Sequence, residues 1–401
     1  MTKRVLVIGA GFAGMWSALA AARAAHLANR SDELDVVVLA PEPRLGIRPR
    51  FYESDLSQVA PSLEELFEAT GVKFVAGHVD DVDEARNMVT YRSADGEPAS
   101  LRYDRLILAT GSELARPNIP GLNEYSFNND TLAEARRLQK HIDGLPQRPN
   151  TPARNTVVVA GGGFTGIETA AELTSRLRQI FDEDAQTQVV VVERADAIGP
   201  ELGANPRPVI ETALNELGVT LKLGVGVASI SPNGAMLSDG SFIDSETVIW
   251  TAGLKASKLT GQIKAERDPQ GRLHVTPELR VVGQTKIYAA GDTAYAATDD
   301  VGNHAMMSCQ HAMNLGRSAG HNAAADLFGL ECIPYDQVNY VTCLDLGKWG
   351  AVLTEGWDRQ VKLTGLEAKK LKTQINTVWI YPPKADRDEA FSQAAPTRRL
   401  V

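Results

Sequence analysis

The sequence predicts an α/β protein with two Rossmann-type three-layer domains and a small C-terminal α+β region. Residues 4–19 read RVLVIGAGFAGMWSAL, and residues 156–173 read TVVVAGGGFTGIETAAEL. In each copy, an apolar run is followed by Gly-x-Gly-x-x-Gly and then by small residues, which predicts a strand, a tight turn and a helix. A second apolar strand follows each copy, DVVVLA at 35–40 and QVVVVE at 188–193, and completes a βαβ unit.

Length and composition indicate an ordinary multi-domain globular protein. The chain has 401 residues, of which 43% are hydrophobic and 23% are charged. One hydrophobic core rarely serves a chain of this length, so two or three domains are expected. The formal net charge is −9. Nucleic-acid binding is therefore not expected as the main function, because phosphates require a basic surface.

The cysteines exclude several kinds of site. The only three, Cys309, Cys332 and Cys343, form no CxxC or CxxxxC motif, so neither a zinc site nor a redox-active disulfide near the N-terminus is expected. Few and unpatterned cysteines are typical of a reducing cytosol. The N-terminal apolar run is too short and too glycine-rich for a signal peptide, and no run of about 18 apolar residues occurs. We expect a cytoplasmic protein.

The positions of the two glycine motifs predict the domain organisation. The first domain is expected to comprise residues 1–115 and 265–330, and the second residues 116–264. Residues 331–401 form the C-terminal region, in which short alternating apolar runs predict a small antiparallel sheet. The stretch 143–155, DGLPQRPNTPARN, is rich in proline and polar residues and predicts a linker before the second motif.

The first glycine motif predicts a dinucleotide-binding turn. Gly9 permits the tight turn, Gly11 lets the backbone approach a pyrophosphate, and Gly14 lets the helix pack on the strand. The helix N-terminus then offers free N–H groups and a partial positive charge to the phosphates. The following strand usually ends in an acid that binds the ribose, but Ala40 stands there. Either Glu42 replaces that acid, or backbone and water hold the ribose.

The second motif repeats this arrangement with Gly161, Gly163 and Gly166. Here the next strand does end in an acid, Glu193. A carboxylate at this position accepts a hydrogen bond from the ribose 2′-hydroxyl and repels a 2′-phosphate, which favours NADH over NADPH. The neighbouring Arg194 could accommodate that phosphate, so NADPH remains the alternative.

Three further segments each contain a predicted strand that ends in small residues or in a Gly-Asp turn. YDRLILATGS (103–112) and ETVIWTAGLK (246–255) each end in small residues that would let the chain pass close to a bound dinucleotide. KIYAAGDTAYA (286–296) ends its strand in Gly291-Asp292. Asp292 is interpreted either as an acceptor for a flavin ribityl hydroxyl or as the N-cap of a helix.

These segments, in this order and at these distances, resemble the pyridine-nucleotide:disulfide oxidoreductase superfamily over about residues 3–330. The closest resemblance within it is to the type II NADH dehydrogenase (NADH:quinone oxidoreductase) group. RPRFYES (48–54) resembles that group's Pro-x-x-Tyr-Glu motif. VIWTAGLKA (248–256) is close to the group's usual sequence at this strand, and SCQHAMNLGR (308–317) resembles the sequence of its quinone-site helix.

The resemblance implies FAD in the first domain and NADH, or less readily NADPH, in the second. No metal ion is expected. The residues implied to contact FAD are Gly9, Ala10, Gly11, Phe12, Ala13, Gly14, Ala40, Pro41, Arg50, Val79, Ala109, Thr110, Gly111, Gly291, Asp292, Gln310 and His311. The residues implied to contact the nicotinamide coenzyme are Gly161, Gly163, Phe164, Thr165, Gly166, Glu168, Glu193, Ala252 and Gly253.

The same resemblance implies three catalytic residues. Glu168 is expected beside the nicotinamide, its alternative being an exposed acid in the first helical turn. Gln310 and Asn314 are four residues apart and so share one helical face. An amide pair there could hydrogen-bond a quinone carbonyl, or it could merely satisfy backbone and solvent partners. Asn314 stands where the group usually has a second glutamine.

The expected function is hydride transfer from NADH to FAD, followed by delivery of two electrons to a quinone or quinone-like acceptor. Without a CxxxxC pair, the electrons must leave the flavin directly. The alternatives are a soluble NAD(P)H-dependent reductase for another acceptor, such as a redox protein or a biosynthetic intermediate, and an interaction protein that senses nucleotides, similar to apoptosis-inducing factor. The sequence leaves a homodimer open.

The C-terminal region departs most from the group. Residues 362–384 carry an apolar stripe and three lysines, Lys369, Lys370 and Lys372, which predicts an amphipathic helix. It either lies on the inner face of a membrane or packs on its own protein. The stretch 339–350 lacks the group's flavin-side lysine, and Tyr340 stands near that place. The polar tail after Pro382-Pro383 is predicted to be poorly ordered.

Overall fold

The computed structural model describes residues 2–181 and 185–398. The strands, in chain order, are β1 (Lys3–Ile8), β2 (Leu34–Ala40), β3 (Lys73–Asp83), β4 (Met88–Ser93), β5 (Pro98–Arg102), β6 (Arg105–Leu108), β7 (Ser112–Leu114), β8 (Ser126–Phe127), β9 (Thr156–Ala160), β10 (Gln188–Glu193), β11 (Val219–Leu223), β12 (Val227–Ser231), β13 (Gly234–Leu237), β14 (Phe242–Asp244), β15 (Thr247–Trp250), β16 (Leu254–Ala256), β17 (Leu273–His274), β18 (Ile287–Ala289), β19 (Ala294–Tyr295), β20 (Val341–Asp345), β21 (Ala351–Glu355) and β22 (Gln360–Thr364).

The α-helices, in chain order, are α1 (Phe12–Leu27), α2 (Glu64–Thr70), α3 (Leu122–Tyr125), α4 (Leu132–Gly144), α5 (Pro152–Asn155), α6 (Phe164–Ile180), α7 (Arg207–Leu217), α8 (Cys309–Phe328), α9 (Gly365–Gln374) and α10 (Arg387–Gln393). A π-helical segment, Ile375–Trp379, continues α9. Within residues 2–181 and 185–398, no helix combines the length and the apolar composition needed to cross a bilayer.

A seven-stranded sheet contains the first glycine motif. Its strand order is β18-β6-β1-β2-β3-β4-β5. The first five of these strands are parallel, and β4 and β5 add an antiparallel edge. Helices α1 and α8 are so close that only glycine fits at two positions of α8. A Cβ atom on Gly316 would lie 2.4 Å from the Ala13 carbonyl oxygen, and one on Gly320 would lie 2.0 Å from the Ser17 carbonyl oxygen. The glycine in the predicted quinone-site motif therefore serves helix packing.

A five-stranded parallel sheet contains the second glycine motif, in the order β11-β10-β9-β15-β8. The two sheets have equivalent centres. In the first sheet, β1 lies between β2 and β6, and in the second sheet, β9 lies between β10 and β15. The predicted repetition of the βαβ unit is thereby confirmed. Strands β7 and β16 lie where the chain crosses between the sheets, and they pair antiparallel. The predicted domain bounds at 115 and 264 follow these crossings and stay a prediction.

The predicted C-terminal antiparallel sheet is confirmed as β20-β21-β22. Helix α9 packs on this sheet with part of the predicted apolar stripe, because Leu371 and Ile375 contact its core. Ala368 and Lys372 are buried, whereas Leu366 and Val378 are 67% and 61% exposed. Lys372, one of the three lysines of the predicted amphipathic helix, is buried, and its ammonium group has an acidic partner inside the protein.

Residues 143–155 are not the predicted linker. Pro152 begins the short helix α5, and the Thr151 hydroxyl caps it by accepting a hydrogen bond from the Arg154 N–H group. The Arg154 guanidinium is buried and donates to the side chains of Asn150 and Asn155. These internal hydrogen bonds replace the solvent that a linker would need, so the segment is part of the second domain's packing.

The tail is also more ordered than predicted. The Asp386 carboxylate caps α10 by accepting from the Glu389 N–H group. Ala390, Phe391 and Ala394 of this region are buried. A capped first turn and three small or aromatic residues on one helical face dock this short helix. The polar composition of the tail therefore led to the wrong prediction that it is poorly ordered.

Candidate active site

The first glycine-rich loop contacts protein backbone at Gly9 and Gly14 and faces open space at Gly11. Gly9 has φ +108°, and a Cβ atom there would lie 2.4 Å from the Ala109 carbonyl oxygen. A Cβ atom on Gly14 would lie 1.9 Å from the Gly9 carbonyl oxygen. By contrast, a Cβ atom on Gly11 would meet nothing within 4 Å. Helix α1 begins at Phe12 without a side-chain cap. The helix N-terminus therefore faces open space, as a bound pyrophosphate requires.

The Gly291-Asp292 turn lies beside this loop, because β18, β6 and β1 are neighbours in the sheet. The Asp292 carboxylate accepts a hydrogen bond of 2.7 Å from the Ser112 hydroxyl, which in turn accepts one of 2.9 Å from Arg48. Arg48 also pairs with Asp130. Burial raises the pKa of Asp292, and the Ser112 hydrogen bond and the Arg48 charge oppose that rise. Ser112 and Arg48 belong to the motifs at 103–112 and 48–54, but the sequence gave no sign that they contact Asp292.

The start of α8 carries buried polar atoms without partners. The Ser308 hydroxyl caps the helix and hydrogen-bonds His311 Nδ1 at 2.9 Å. His311 Nε2, Gln310 Oε1 and Thr110 Oγ1 are buried and have no hydrogen-bond partner among the described residues. Burial lowers the pKa of His311 to about 3, so its imidazole is neutral. Unpaired buried polar atoms indicate a missing polar ligand, and the rim of a flavin ring offers both donors and acceptors.

The residues predicted around the adenosine end lie at the ends of β2 and β3. Ala40 is buried at the end of β2, Pro41 is exposed, and Val79 is partly buried where β3 continues beyond the parallel sheet. Glu42, the alternative ribose acid, is exposed and lies 3.9 Å from Arg44. An exposed, loosely paired carboxylate remains available to a ligand.

Arg50, a predicted FAD contact, is engaged with protein groups. Its guanidinium lies 2.6 Å from the Glu53 carboxylate and donates a hydrogen bond of 2.5 Å to the Tyr381 hydroxyl. The Glu53 hydrogen bond is the largest influence that raises the pKa of Arg50. Arg50 thus ties the segment after β2 to the C-terminal region.

Asn314 also has internal partners. Its Nδ2 donates to Gln337 at 2.9 Å, and its Oδ1 accepts from Arg317 at 2.9 Å. The side chain is 1% exposed. The predicted catalytic role of Asn314 stays a prediction, but the amide is already used in joining α8 to the following segment. Gln310, one turn earlier, has an unpaired oxygen instead.

The second glycine-rich loop has the same backbone geometry as the first. Gly161 has φ +119°, and a Cβ atom there would lie 2.9 Å from the Ala252 nitrogen. A Cβ atom on Gly166 would lie 1.8 Å from the Gly161 carbonyl oxygen. Gly253 has φ +78°, and its carbonyl oxygen accepts from the Ala115 N–H group. The predicted contact residues Ala252 and Gly253 therefore border this loop. Phe164 and Thr165 form the first turn of α6.

Two carboxylates lie on the second loop. Glu193, at the end of β10, accepts hydrogen bonds from the Gly162 N–H group at 2.7 Å and from the Ala195 N–H group at 2.8 Å. Glu201 accepts one of 2.8 Å from the Phe164 N–H group at the start of α6. Glu193 is held where a ribose diol would bind, whereas Glu201 was not predicted and occupies a donor that a phosphate would use.

A buried cluster of charged groups joins four segments. The Lys372 ammonium lies 2.8 Å from the Glu168 carboxylate, which also accepts from the Asp345 N–H group at 2.9 Å. The Asp345 carboxylate accepts from the Tyr52 hydroxyl at 2.9 Å and lies 2.5 Å from Lys369. Glu168 and Lys372 are 3% and 5% exposed. Glu168 is therefore not the exposed first-turn acid that was the alternative to a site role.

Burial shifts the pKa values in this cluster. It raises the pKa of Glu168 to about 7, against the opposing charge of Lys372. Burial also disfavours the charge of Lys372, but the attraction of the Glu168 carboxylate outweighs it and raises the pKa of that lysine. Burial and the two neighbouring carboxylates raise the pKa of Tyr52. Glu168 is thus the group that can hold or release a proton near neutral pH.

The lysine of this cluster was missed in the sequence. The stretch 339–350 was expected to lack the group's flavin-side lysine, and its Lys348 is exposed. Lys372 of α9 supplies the buried ammonium of this cluster instead. Tyr340, which stands near the expected place, contacts His311 and Trp357 instead, with ring centroids 4.8 and 4.7 Å apart. No local pattern singles out one lysine among three in α9.

The cysteines form no disulfide. All three thiols are free. Burial raises the pKa values of Cys309 and Cys343 to about 11, so both are protonated at neutral pH. Only a thiolate reacts as a redox nucleophile. Among the described residues, no group of three or more His, Cys, Asp or Glu side chains could hold a metal ion.

Two glycine loops, each between a parallel strand and a helix N-terminus, define a protein with two Rossmann-type nucleotide-binding domains. The chain belongs to the pyridine nucleotide-disulphide oxidoreductase family, whose model matches residues 3–316, and it is an NADH oxidoreductase. It is 45% identical to an NADH dehydrogenase-like protein of Mycobacterium tuberculosis over 98% of both chains. It is 24% identical to the type II NADH:quinone oxidoreductase of Staphylococcus haemolyticus over 94% of both chains.

A solved structure shares the fold. The NDH2 of Plasmodium falciparum, solved with NADH, superposes with a TM-score of 0.78 over 98% of both chains at 14% identity. The predicted fold of two dinucleotide-binding domains and the resemblance to the type II group are both confirmed. A flavin and NADH are the cofactors.

Proposed function

We propose that the protein is an FAD-dependent NADH dehydrogenase that passes two electrons from the flavin directly to a quinone or quinone-like acceptor. The observation that carries this proposal is the buried Glu168–Lys372 pair. It provides a proton-holding group in a chain whose thiols are all free. Quinone reduction takes up two protons with two electrons, so a carboxyl group titrating near neutral pH suits this acceptor. The name of the Staphylococcus relative supports the same acceptor class.

The first domain is suited to FAD by its open loop. The N-terminus of α1 would hold the pyrophosphate above Gly11, and Asp292, oriented by Ser112, would accept from a ribityl hydroxyl. Gln310 and His311 would supply polar contacts at the start of α8. When bound, the flavin supplies the two-electron chemistry between NADH and the acceptor.

The second domain is suited to NADH by Glu193. Its carboxylate is fixed by two backbone N–H groups, which orients it toward a ribose diol. A fixed carboxylate repels a 2′-phosphate, so NADH is preferred over NADPH. Phe164 and Glu168 lie on α6 directly after the glycine loop, where a nicotinamide would meet the first domain.

Glu168 and Lys372 supply the proton chemistry. The Glu168 carboxyl holds a proton on its carboxylate oxygen below pH about 7 and can release it toward a reduced acceptor. Lys372 keeps a positive charge next to it and favours the anion that remains. The start of α8, with its partial positive charge, would stabilise negative charge on a neighbouring group.

The test is an acceptor screen on the purified flavin-loaded protein. NADH consumption is measured with ubiquinone and menaquinone analogues, with oxygen and with ferredoxin-type proteins, and the released flavin is identified chromatographically. Gln310→Ala is expected to raise the KM for the quinone by more than it slows NADH-driven flavin reduction, because Gln310 would contact the acceptor as well as the flavin. Gln374→Ala, at the end of α9, is the matched amide control. Turnover only with a redox protein, or unchanged quinone kinetics in Gln310→Ala, would contradict the proposal.

Two further expectations stay predictions. Leu366 and Val378 are exposed, but single apolar side chains are common on soluble surfaces, so membrane contact through 362–384 is not part of the proposal. A homodimer is likewise outside it. Slow flavin reduction by NADH with a persistent charge-transfer band would instead favour the nucleotide-sensing alternative.

A further inference from the structure

The turn that follows β10 places a carboxylate on the coenzyme loop. Residues 200–202 form a 3₁₀ turn bounded by Gly199 with φ +60° and Gly203 with φ +77°. Glu201, in this turn, accepts a hydrogen bond of 2.8 Å from the Phe164 N–H group. A Cβ atom on Gly163 would lie 2.5 Å from the same carboxylate oxygen. The carboxylate therefore rests directly on the glycine loop.

This position is the one a phosphate needs. The first free N–H groups of a helix, together with its dipole, bind anions, and the glycine-rich loop lets a pyrophosphate approach them. A side-chain carboxylate and a pyrophosphate cannot both use the Phe164 N–H group. Glu201 is exposed and its turn is bounded by two glycines, so it can leave without disturbing a packed core.

A buried cation lies next to the same turn. Arg359, in the turn between β21 and β22, is 6% exposed. One of its terminal nitrogens, Nη2, donates to the Glu201 carbonyl oxygen at 3.3 Å, and its guanidinium lies 4.4 Å from the centre of the Tyr340 ring. The other terminal nitrogen, Nη1, is buried and has no hydrogen-bond partner within residues 2–181 and 185–398.

The contacts described for Arg359 are with neutral groups. In the part of the chain that the structure describes, it forms no ion pair with a carboxylate. Its backbone has φ +59°, an unfavourable conformation for a residue with a side chain. Asn205 donates to the Asp358 carbonyl oxygen at 2.7 Å and gives the two turns a second connection. A buried guanidinium with only neutral partners is expensive, unless an anionic ligand completes it.

We propose that Glu201 and Arg359 form an exchange site for the coenzyme pyrophosphate. The Glu201 carboxylate lies where a phosphate would bind at the start of α6. When NADH binds, Glu201 moves away and Arg359, from the C-terminal region, receives the pyrophosphate through its unpaired Nη1. Glu201 thus weakens coenzyme binding and Arg359 strengthens it, which promotes release of the oxidised coenzyme without loss of recognition.

The experiment measures binding of ADP-ribose, which carries the pyrophosphate but no nicotinamide, to the flavin-loaded protein by titration calorimetry. Glu201→Ala is expected to lower its Kd by about tenfold, since a competing charged hydrogen-bond acceptor is removed. Arg359→Gln is expected to raise that Kd by about tenfold, and Arg359→Lys by less. Asp358→Asn, which removes one negative charge from the same turn without contacting α6, is the control and should leave the Kd unchanged.

A second measurement separates this role from a structural one. Flavin reduction is followed in stopped flow with NADH and with reduced nicotinamide riboside, which lacks both phosphates. The Glu201 and Arg359 variants should change the apparent Kd for NADH and leave that for the riboside as in the unmodified protein. Equal shifts with both donors, a shift in Asp358→Asn as large as in Glu201→Ala, or an unchanged Kd for ADP-ribose in both Arg359 variants would overturn the proposal. Because no acceptor takes part, these outcomes are independent of whether quinone is the acceptor.

Discussion

The two glycine-rich loops share one sequence pattern but have opposite surroundings. Open space lies above Gly11, whereas the Glu201 carboxylate lies on Gly163. The strand after the first loop ends in Ala40, and the one after the second ends in Glu193, whose carboxylate is fixed by two N–H groups. The shared pattern fixes the geometry for a pyrophosphate. The lining charges differ as expected for a cofactor that stays bound and a coenzyme that is exchanged.

The helices that follow the loops differ in the same way. Trp16 in α1 and Glu168 in α6 are both two residues after the last glycine of their motif. Trp16 is buried under the Arg317 guanidinium, 4.0 Å from the ring centre. Glu168 is buried against the Lys372 ammonium. The same motif position therefore holds a packed aromatic ring in the first domain and a buried ion pair in the second.

The largest expected effect comes from breaking the buried pair of the second domain. In Lys372→Met, Glu168 loses its cationic partner, and the free energy of unfolding should fall by about 3–5 kcal/mol at pH 8. Denaturant unfolding monitored by circular dichroism measures it. Glu168→Gln in the same protein should restore most of the loss, because no buried charge then remains. A loss that persists in the double variant would show that Lys372 acts through packing alone.

The glycines that contact backbone should be equally sensitive in both loops. A Cβ atom would lie 1.9 Å from a carbonyl oxygen at Gly14 and 1.8 Å from one at Gly166. Gly14→Ala and Gly166→Ala should each lower the free energy of unfolding by about 3 kcal/mol, because neither backbone can move away. Thermal unfolding checks both, with Gly261→Ala, where nothing lies within 4 Å, as the control. A tolerated Gly166→Ala would end the equivalence of the two loops.

Local sequence patterns predicted what is local in this molecule. Each βαβ unit is one contiguous segment in which periodicity and glycine spacing both indicate the same structure, so both units were predicted correctly. Glu168 was singled out for the same reason, since it belongs to the motif helix, and its site role stays a prediction. The errors at 143–155 and at α10 arose where composition was polar but short capped helices found internal partners.

The remaining site residues come from distant segments. Lys372 is 204 residues after Glu168 in the chain, and Arg359 is 158 residues after Glu201. Only the docking of the C-terminal sheet brings these side chains together. Ser112, which orients Asp292, is likewise supplied by a segment 180 residues away. Sequence spacing carries no information about such pairs, because each depends on how the sheets pack.

The pH dependence should expose the difference between Trp16 and Glu168. Burial raises the pKa of Glu168 to about 7, so its carboxyl is protonated below that pH and ionised above it. If this proton is delivered to the acceptor, the rate of acceptor reduction is highest below pH 7 and falls about tenfold per pH unit above it. Glu168→Gln should remove this dependence and lower the maximum rate. Stopped-flow oxidation of the reduced enzyme across pH 5.5–9 measures both, and an unchanged profile in Glu168→Gln would assign the proton to another group.

The strand-end acid should decide coenzyme choice in the second domain alone. Glu193→Gln keeps the side-chain shape but removes the charge that repels a 2′-phosphate. The ratio of kcat/KM for NADPH to that for NADH should rise about tenfold, the order expected for one charge-assisted hydrogen bond. Glu216→Gln is the control, because its carboxylate accepts a hydrogen bond from the Trp349 indole N–H group, away from the coenzyme loop. An unchanged ratio would mean that Arg194 or the ribose contacts set the preference.

The smallest effect should come from the glycines that face the ligands. Gly11 and Gly163 have φ values of −70° and −81°, so alanine can adopt either backbone conformation. In flavin-free protein, Gly11→Ala should leave the free energy of unfolding within about 0.5 kcal/mol, because its new methyl group meets open space. Gly163→Ala should displace Glu201 and lose its cap on α6, a loss of about 1 kcal/mol. Equal losses in calorimetric unfolding would mean that Glu201 does not rest on the loop in solution. A larger loss in Gly163→Ala than in Gly11→Ala would assign the difference between the two loops to the Glu201 carboxylate.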